Sequence, residues 1–164
     1  MVLPGSVHLP HLKSLKLQSF SFDNEDLTNE FFAQCPSLEF LGLILCKFLH
    51  LNVRISCPNL KHIEIFRPTE ICMNGLHSDS GKVTLCAPNL SYFKTNDYMS
   101  TDYSLQNLSS IVIADILVTS VRKNEDAPEL PVGVKELFAK RMIHFLRAVH
   151  NVKVLKLSYS SLEV

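Results

Sequence analysis

Seven histidines and five cysteines make metal binding the first chemistry to weigh in this 164-residue chain. A zinc site needs ligands brought together, and sequences that build one cluster them as C-x-x-C or a similar pair. Here Cys35, Cys46 and Cys57 fall eleven positions apart and Cys72 and Cys86 stand alone. Such even spacing follows a structural period, so buried small residues at chain corners are expected and no metal site is predicted. His8 and His11 could approach each other but bring no further ligand with them. Catalytic signatures are no better represented: the chain holds no G-x-S-x-G elbow, Walker loop, G-x-G-x-x-G or H-E-x-x-H. Asp23, Glu25 and Asp26 form an acidic cluster, which suits the positive end of a helix. A site carried on loops would need convergent titratable groups, and no candidate triad exists. The sequence therefore predicts a non-enzyme with no catalytic residue and no cofactor.

The elements behind these residues are organised by repetition. Pro10-His11-Leu12-Lys13-Ser14-Leu15-Lys16-Leu17 returns as Pro36-Ser37-Leu38-Glu39-Phe40-Leu41-Gly42-Leu43 and as Pro58-Asn59-Leu60-Lys61-His62-Ile63-Glu64-Ile65. A looser copy is Pro88-Asn89-Leu90-Ser91-Tyr92-Phe93-Lys94-Thr95, and two copies without proline begin at Asn107 and Asn151. From anchor to anchor (Leu12, Leu38, Leu60, Leu90, Leu108, Val152) the steps are 26, 22, 30, 18 and 44 residues. Most lie in or near the ~20–29-residue period of leucine-rich repeats. In L-x-x-L-x-L the last two apolar residues face one side of a strand, and the first anchors the turn leading in. Proline suits a strand start, where its missing N–H costs no ladder bond.

Between the copies the pattern changes. Val53, Ile55, Cys57 and Val83, Leu85, Ala87 alternate as strands do, whereas Asn24 followed by Glu25, Asp26, Leu27 and Phe31 reads as a capped helix. Residues 123–133 are polar and proline-bearing, as in a surface loop, and 134–149 carry apolar residues at three- and four-residue steps, as in an amphipathic helix. The expected fold is one α/β leucine-rich-repeat solenoid over residues 1–164. It would have a parallel β-sheet (strands near 12–18, 38–44, 60–66, 90–96, 108–114 and 152–158), a mixed strand and helix back, and one longer helix near the C-terminus. A full repeat begins within the first dozen residues, and Leu155, Leu157, Tyr159 and Leu162 run to the C-terminus, so both ends are expected to be cuts within a longer protein.

Charge and hydropathy narrow the partners. Lys plus Arg and Asp plus Glu both total 16, which gives no reason to propose nucleic acid or anionic lipid. No apolar run approaches the ~20 residues of a membrane-spanning helix. The N-terminus lacks the basic and apolar stretches of an export signal, and five cysteines are an odd set. A reduced protein of the cytoplasm or nucleus is expected, in which the sequons at Asn89 and Asn107 are chance matches.

In a parallel repeat sheet the residues beside the inward leucines line the exposed concave face. Those positions are Ser14, Lys16 and Gln18; Phe40, Gly42 and Ile44; His62, Glu64 and Phe66; Tyr92, Lys94 and Asn96; Ser110 and Val112; Val154, Lys156 and Ser158. Lys16, Phe40, His62, Glu64, Phe66, Tyr92, Lys94 and Lys156 are the expected partner-binding residues. Phe40, His62 and Tyr92 would form a row flanked by Gly42, Glu64 and Lys94. Aromatic residues with charges beside them have the makeup of a binding hot spot, although lateral packing along a ladder explains such a row equally well.

Taken together, Cys35-Pro36-Ser37-Leu38-Glu39-Phe40-Leu41, Ala87-Pro88-Asn89-Leu90-Ser91-Tyr92-Phe93 and Asn151-Val152-Lys153-Val154-Leu155-Lys156-Leu157-Ser158 resemble the repeat region of plant F-box proteins of the F-box/LRR and F-box/FBD/LRR type. The likeness covers nearly the whole chain. It implies the substrate-recognition part of an SCF-type ubiquitin ligase, in which an F-box docks a Skp-type adaptor and the repeats capture the protein to be degraded. No F-box segment is recognisable ahead of the first repeat and no FBD domain after the last, so adaptor docking is expected only of a longer form. The competing expectation is a stand-alone repeat scaffold or competitor with no link to ubiquitination.

Overall fold

A computed structural model of the chain describes residues 8–48, 51–67, 81–97, 101–117 and 132–158. In chain order these hold β1 (Ser14–Gln18), α1 (Glu25–Ala33), β2 (Phe40–Ile44), β3 (Asn52–Ser56), β4 (His62–Phe66), β5 (Lys82–Cys86), β6 (Tyr92–Asn96), β7 (Asp102–Gln106), β8 (Ile113–Leu117), α2 (Val132–Ala148) and β9 (Val154–Leu157). A six-stranded sheet takes the order β1-β2-β4-β6-β8-β9 and a three-stranded sheet the order β3-β5-β7. Every pairing is parallel. Parallel neighbours cannot be joined by a hairpin, and the crossovers between strands of the larger sheet are supplied in turn by α1, β3, β5, β7 and α2.

Period-two alternation decides what is buried. Leu41, Ile63, Phe93 and Ala114 form one inward row of the large sheet, and Leu43, Ile65, Thr95 and Ile116 the next. All eight are buried, most at 0 % exposure. Val53 and Val83 point in from the small sheet, as do Ile55 and Leu85. Thr95 is the one polar residue in these two rows, and its hydroxyl has no hydrogen-bond partner among the described residues.

The corners explain the recurring proline dipeptide. Each anchor donates its backbone N–H to the residue three before it: Leu38 to Cys35, Leu60 to Cys57, Leu90 to Ala87, at 3.1–3.2 Å. Cys35, Cys57 and Ala87 are fully buried, which accounts for small side chains there. Asn59 then donates from Nδ2 to the Pro36 carbonyl at 3.0 Å, and Asn89 to the Pro58 carbonyl at 2.9 Å, fastening each corner to the one before.

β8 corrects the expected strand at 108–114. Its partners are Tyr92↔Ile113 and Lys94↔Asp115, three residues later than the sequence template placed them. Leu108 is a corner residue whose carbonyl accepts from the Ile111 N–H at 3.3 Å, so Ile111 is the anchor. Leu108-x-x-Ile111-x-Ile113 fits the template better than Ile111-x-x-Ala114-x-Ile116, because Ala114 weakens the second copy. Burial settles the register, since Ala114 and Ile116 are both at 0 % exposure while Val112 stands at 36 %.

Both helices close a flank. Asn24 caps α1 by accepting from the Leu27 N–H at 3.0 Å. The helix buries Thr28 and Phe32, one position round from the Leu27 and Phe31 stripe that spacing suggested. That rotation aims Glu25 and Asn29 at the edge of β3, where they accept the Asn52 and Arg54 N–H groups at 2.8 and 2.6 Å. An edge strand is covered in this way by side chains one helical turn apart. α2 begins two residues before the expected 134–149 helix and takes in residues 132 and 133 of the expected loop; residues 123–131 lie outside the described residues. Phe138, Met142, Phe145 and Val149 are buried, with Phe145 against Phe93 and Tyr103 at centroid distances of 5.1 and 6.2 Å.

Candidate functional site

Outward residues of the six-stranded sheet stand in rows that cross the strands. The first runs Ser14, Phe40, His62, Tyr92, Ile113, Val154. Lys16, Gly42, Glu64, Lys94, Asp115 and Lys156 make the second, and Gln18, Ile44, Phe66, Asn96 and Leu117 the third. The expected site residues Lys16, Phe40, His62, Glu64, Phe66, Tyr92, Lys94 and Lys156 thus share one face of one sheet. Ser110 and Val112 do not occupy the positions expected of them; with the register corrected, Ile113, Asp115 and Leu117 take those places.

Within the first row, the Phe40 and His62 rings lie 5.1 Å apart and tilted, and those of His62 and Tyr92 4.4 Å apart and stacked. All three are half-buried. Phe40 folds over Gly42: a Cβ built there would lie 3.3 Å from the Phe40 ring and 3.3 Å from Cγ of Lys16. The glycine therefore lets the aromatic ring and the lysine stem close over the strand. His62 Nε2 lies 3.1 Å from Glu64 Oε1, and the Tyr92 hydroxyl donates to Asp115 Oδ2 at 3.4 Å. Burial, reinforced by the Asp115 and Glu64 charges, raises the Tyr92 phenol above its ordinary range and keeps it a neutral donor.

A charged margin precedes the aromatic row. Backbone bonds continue the ladder through Lys13, Glu39, Lys61, Ser91, Val112 and Lys153. Glu39 sits between Lys61 at 2.7 Å and Lys13 at 3.2 Å. Hydrogen bonds from those two ammonium groups hold its carboxyl below the usual carboxylate range. Beyond the second row the surface turns apolar, with Phe66 40 % and Leu117 37 % exposed on either side of a buried Asn96.

Arg67 and Asp97, which follow β4 and β6, are buried and were not singled out by sequence. The guanidinium donates to Thr101 Oγ1, lies 3.9 Å from Asp97 Oδ2 and stacks over Phe48 at 5.7 Å. Tyr103 donates to the same carboxylate oxygen at 2.6 Å. Charges so enclosed need each other, and they tie the end of the large sheet to β7. Among the described residues no three His, Cys, Asp or Glu side chains are placed to hold a metal ion. No described helix is long and apolar enough to cross a membrane.

A family model described as FBD-associated F-box protein At5g56370, LRR repeats, matches residues 1–163. The chain is 30 % identical over 172 residues to the F-box/LRR-repeat protein At3g59160 of Arabidopsis thaliana, covering 96 % of this chain and 35 % of that protein. Identity to the Arabidopsis F-box protein At4g27050 is 31 % over 163 residues, 98 % of this chain and 32 % of the relative. Identity to the Arabidopsis F-box/FBD/LRR-repeat protein At5g22660 is 29 % over 115 residues, 69 % of this chain and 26 % of the relative. The chain spans about a third, or less, of the length of these curated relatives. No solved structure matches it.

Proposed function

Because the chain belongs to the leucine-rich-repeat family of FBD-associated F-box proteins, we propose that it is a non-enzymatic protein-binding module whose six-stranded sheet holds a polypeptide. The alternation of two parallel sheets is read as a solenoid, with the large sheet on its concave side. The observation that carries the reading is the row Phe40, His62, Tyr92, three rings on adjacent strands with acidic partners in the neighbouring row. Half-buried rings with polar handles are the surface that proteins use as binding anchors. In a longer form carrying an F-box, a Skp-type adaptor would bind that F-box, and the bound polypeptide would be the substrate of an SCF-type ligase. The expected compartment is the cytoplasm, the nucleus or both.

The test compares affinity capture from plant extract by the chain, by a Phe40→Ala/Tyr92→Ala variant and by an Arg54→Ala/Ser104→Ala variant of the small sheet, read by quantitative mass spectrometry. A protein retained by the first and third and lost with the second supports the reading. Loss of every captured protein with the small-sheet variant alone would refute it. Co-precipitation with a Skp-type adaptor of a longer F-box form, and not of the chain as given, is the expected result for the ligase role.

A further inference from the structure

The chain as a whole is electrically neutral, with 16 basic and 16 acidic residues, yet the large sheet is not. Its margin and second row together carry six lysines, Lys13, Lys16, Lys61, Lys94, Lys153 and Lys156, against three carboxylates, Glu39, Glu64 and Asp115. Each carboxylate is already engaged by its own chain: Glu39 by Lys13 and Lys61, Glu64 by His62, Asp115 by the Tyr92 hydroxyl. Lys16, Lys94, Lys153 and Lys156 are exposed and make no ion pair among the described residues. Lys94 shows the pattern best. It stands in register between Glu64 and Asp115, and both turn to the aromatic row in preference to it.

We propose that this face selects an acidic segment of its protein partner, whose carboxylates pair with the lysine rows while its apolar side chains meet Phe40, His62 and Tyr92. The proposal rests on the reading of the large sheet as a protein-binding surface and adds the chemistry of the partner. A polynucleotide fits less well. Glu64 and Asp115 interleave the lysines of the second row, where a phosphate backbone would meet repulsion, and all the cations are lysines, which offer no bidentate fork.

The experiment uses three fluorescein-labelled peptides of one length and one apolar pattern, their polar positions all Asp, all Asn or all Lys, with an oligothymidylate of matched length. Each is titrated against the chain by fluorescence anisotropy, in low salt and in about 0.3 M NaCl, where exposed charges are largely screened. The Asp peptide should bind about tenfold more tightly than the Asn peptide in low salt, with the advantage shrinking in high salt. A Lys16→Glu/Lys94→Glu/Lys156→Glu variant, unchanged in far-UV circular dichroism, should abolish or invert that order. Equal binding of the Asp and Asn peptides, with both weakened by Tyr92→Ala, would overturn the charge selection and leave the binding face standing. Binding indifferent to Tyr92→Ala and to the lysine reversals, or no peptide binding, would overturn both. Tighter binding of the oligothymidylate than of the Asp peptide would replace the acidic segment with a nucleic acid.

Discussion

Adjacent residues of β6 allow the two faces of the sheet to be tested by one experiment. Phe93 is fully buried and packs on Phe145 at 5.1 Å, whereas Tyr92, one residue earlier, points the other way and stacks on His62 at 4.4 Å. Phe93→Ala deletes a ring from a packed interior and should cost ~3–5 kcal/mol. Tyr92→Ala removes an exposed-face ring contact of ~0.5–1.5 kcal/mol and a long hydrogen bond to Asp115. At ~2–4 °C per kcal/mol for a chain of this size, melting should fall by about 10 °C for Phe93→Ala and by only about 3 °C for Tyr92→Ala. Far-UV circular dichroism melts and urea titrations of both variants, run beside an anisotropy titration with the Asp peptide, measure the contrast. Tyr92→Ala should lose the peptide while keeping the fold. Equal losses of stability, or a larger loss at Tyr92, would refute the assignment of inward and outward rows.

Thr95 buries a hydroxyl that has no partner among the described residues, in an otherwise apolar row, so Thr95→Val should raise stability by about 1 kcal/mol, seen as a higher urea midpoint at unchanged slope. Asn89→Ala removes the bond to the Pro58 carbonyl and should cost about 1 kcal/mol, and Asn59→Ala should match it at the preceding corner, both measurable in the same titration. Burial pushes the Cys57 thiol from its ordinary 9.0 up to about 12. The folded chain therefore holds that proton where the unfolded chain releases it, so stability is full below pH 9.0 and declines as pH climbs toward 12. Urea midpoints should drop from about pH 9 upward, and more gently in Cys57→Ala; an identical slope in that variant would contradict the assignment.

The strands of the large sheet were legible wherever the repeat carried its full chemistry. In Pro36 to Leu43 and Pro58 to Ile65 the corner, the anchor and two inward aliphatics are all present, and only one register places them together. Legibility failed where one of those was substituted. Ser109-Ser110 stands at the corner in place of Pro-Asn and Ala114 fills an inward position, so Leu108 passed for the anchor and Asp115 went unseen as a member of the charged row. β7 escaped notice for the same reason, because no proline follows it to mark the turn. The Phe40, His62, Tyr92 row was readable from spacing alone, but its bonds to Glu64 and Asp115 were not, since they depend on which of several nearby acceptors each side chain turns toward. Arg67 and Asp97 gave no signal at all: their pairing joins residues from two crossovers that sequence distance does not relate.

Strict register across six parallel strands has a consequence for how such a surface changes over time. Each strand contributes a single tile to every row, and the neighbours' spacing is set by backbone bonds that do not depend on which side chain the tile bears. Lineages can therefore exchange Lys94 or Tyr92 as a printer swaps one letter in a locked frame, retuning what is gripped while the interior that supports it goes unedited.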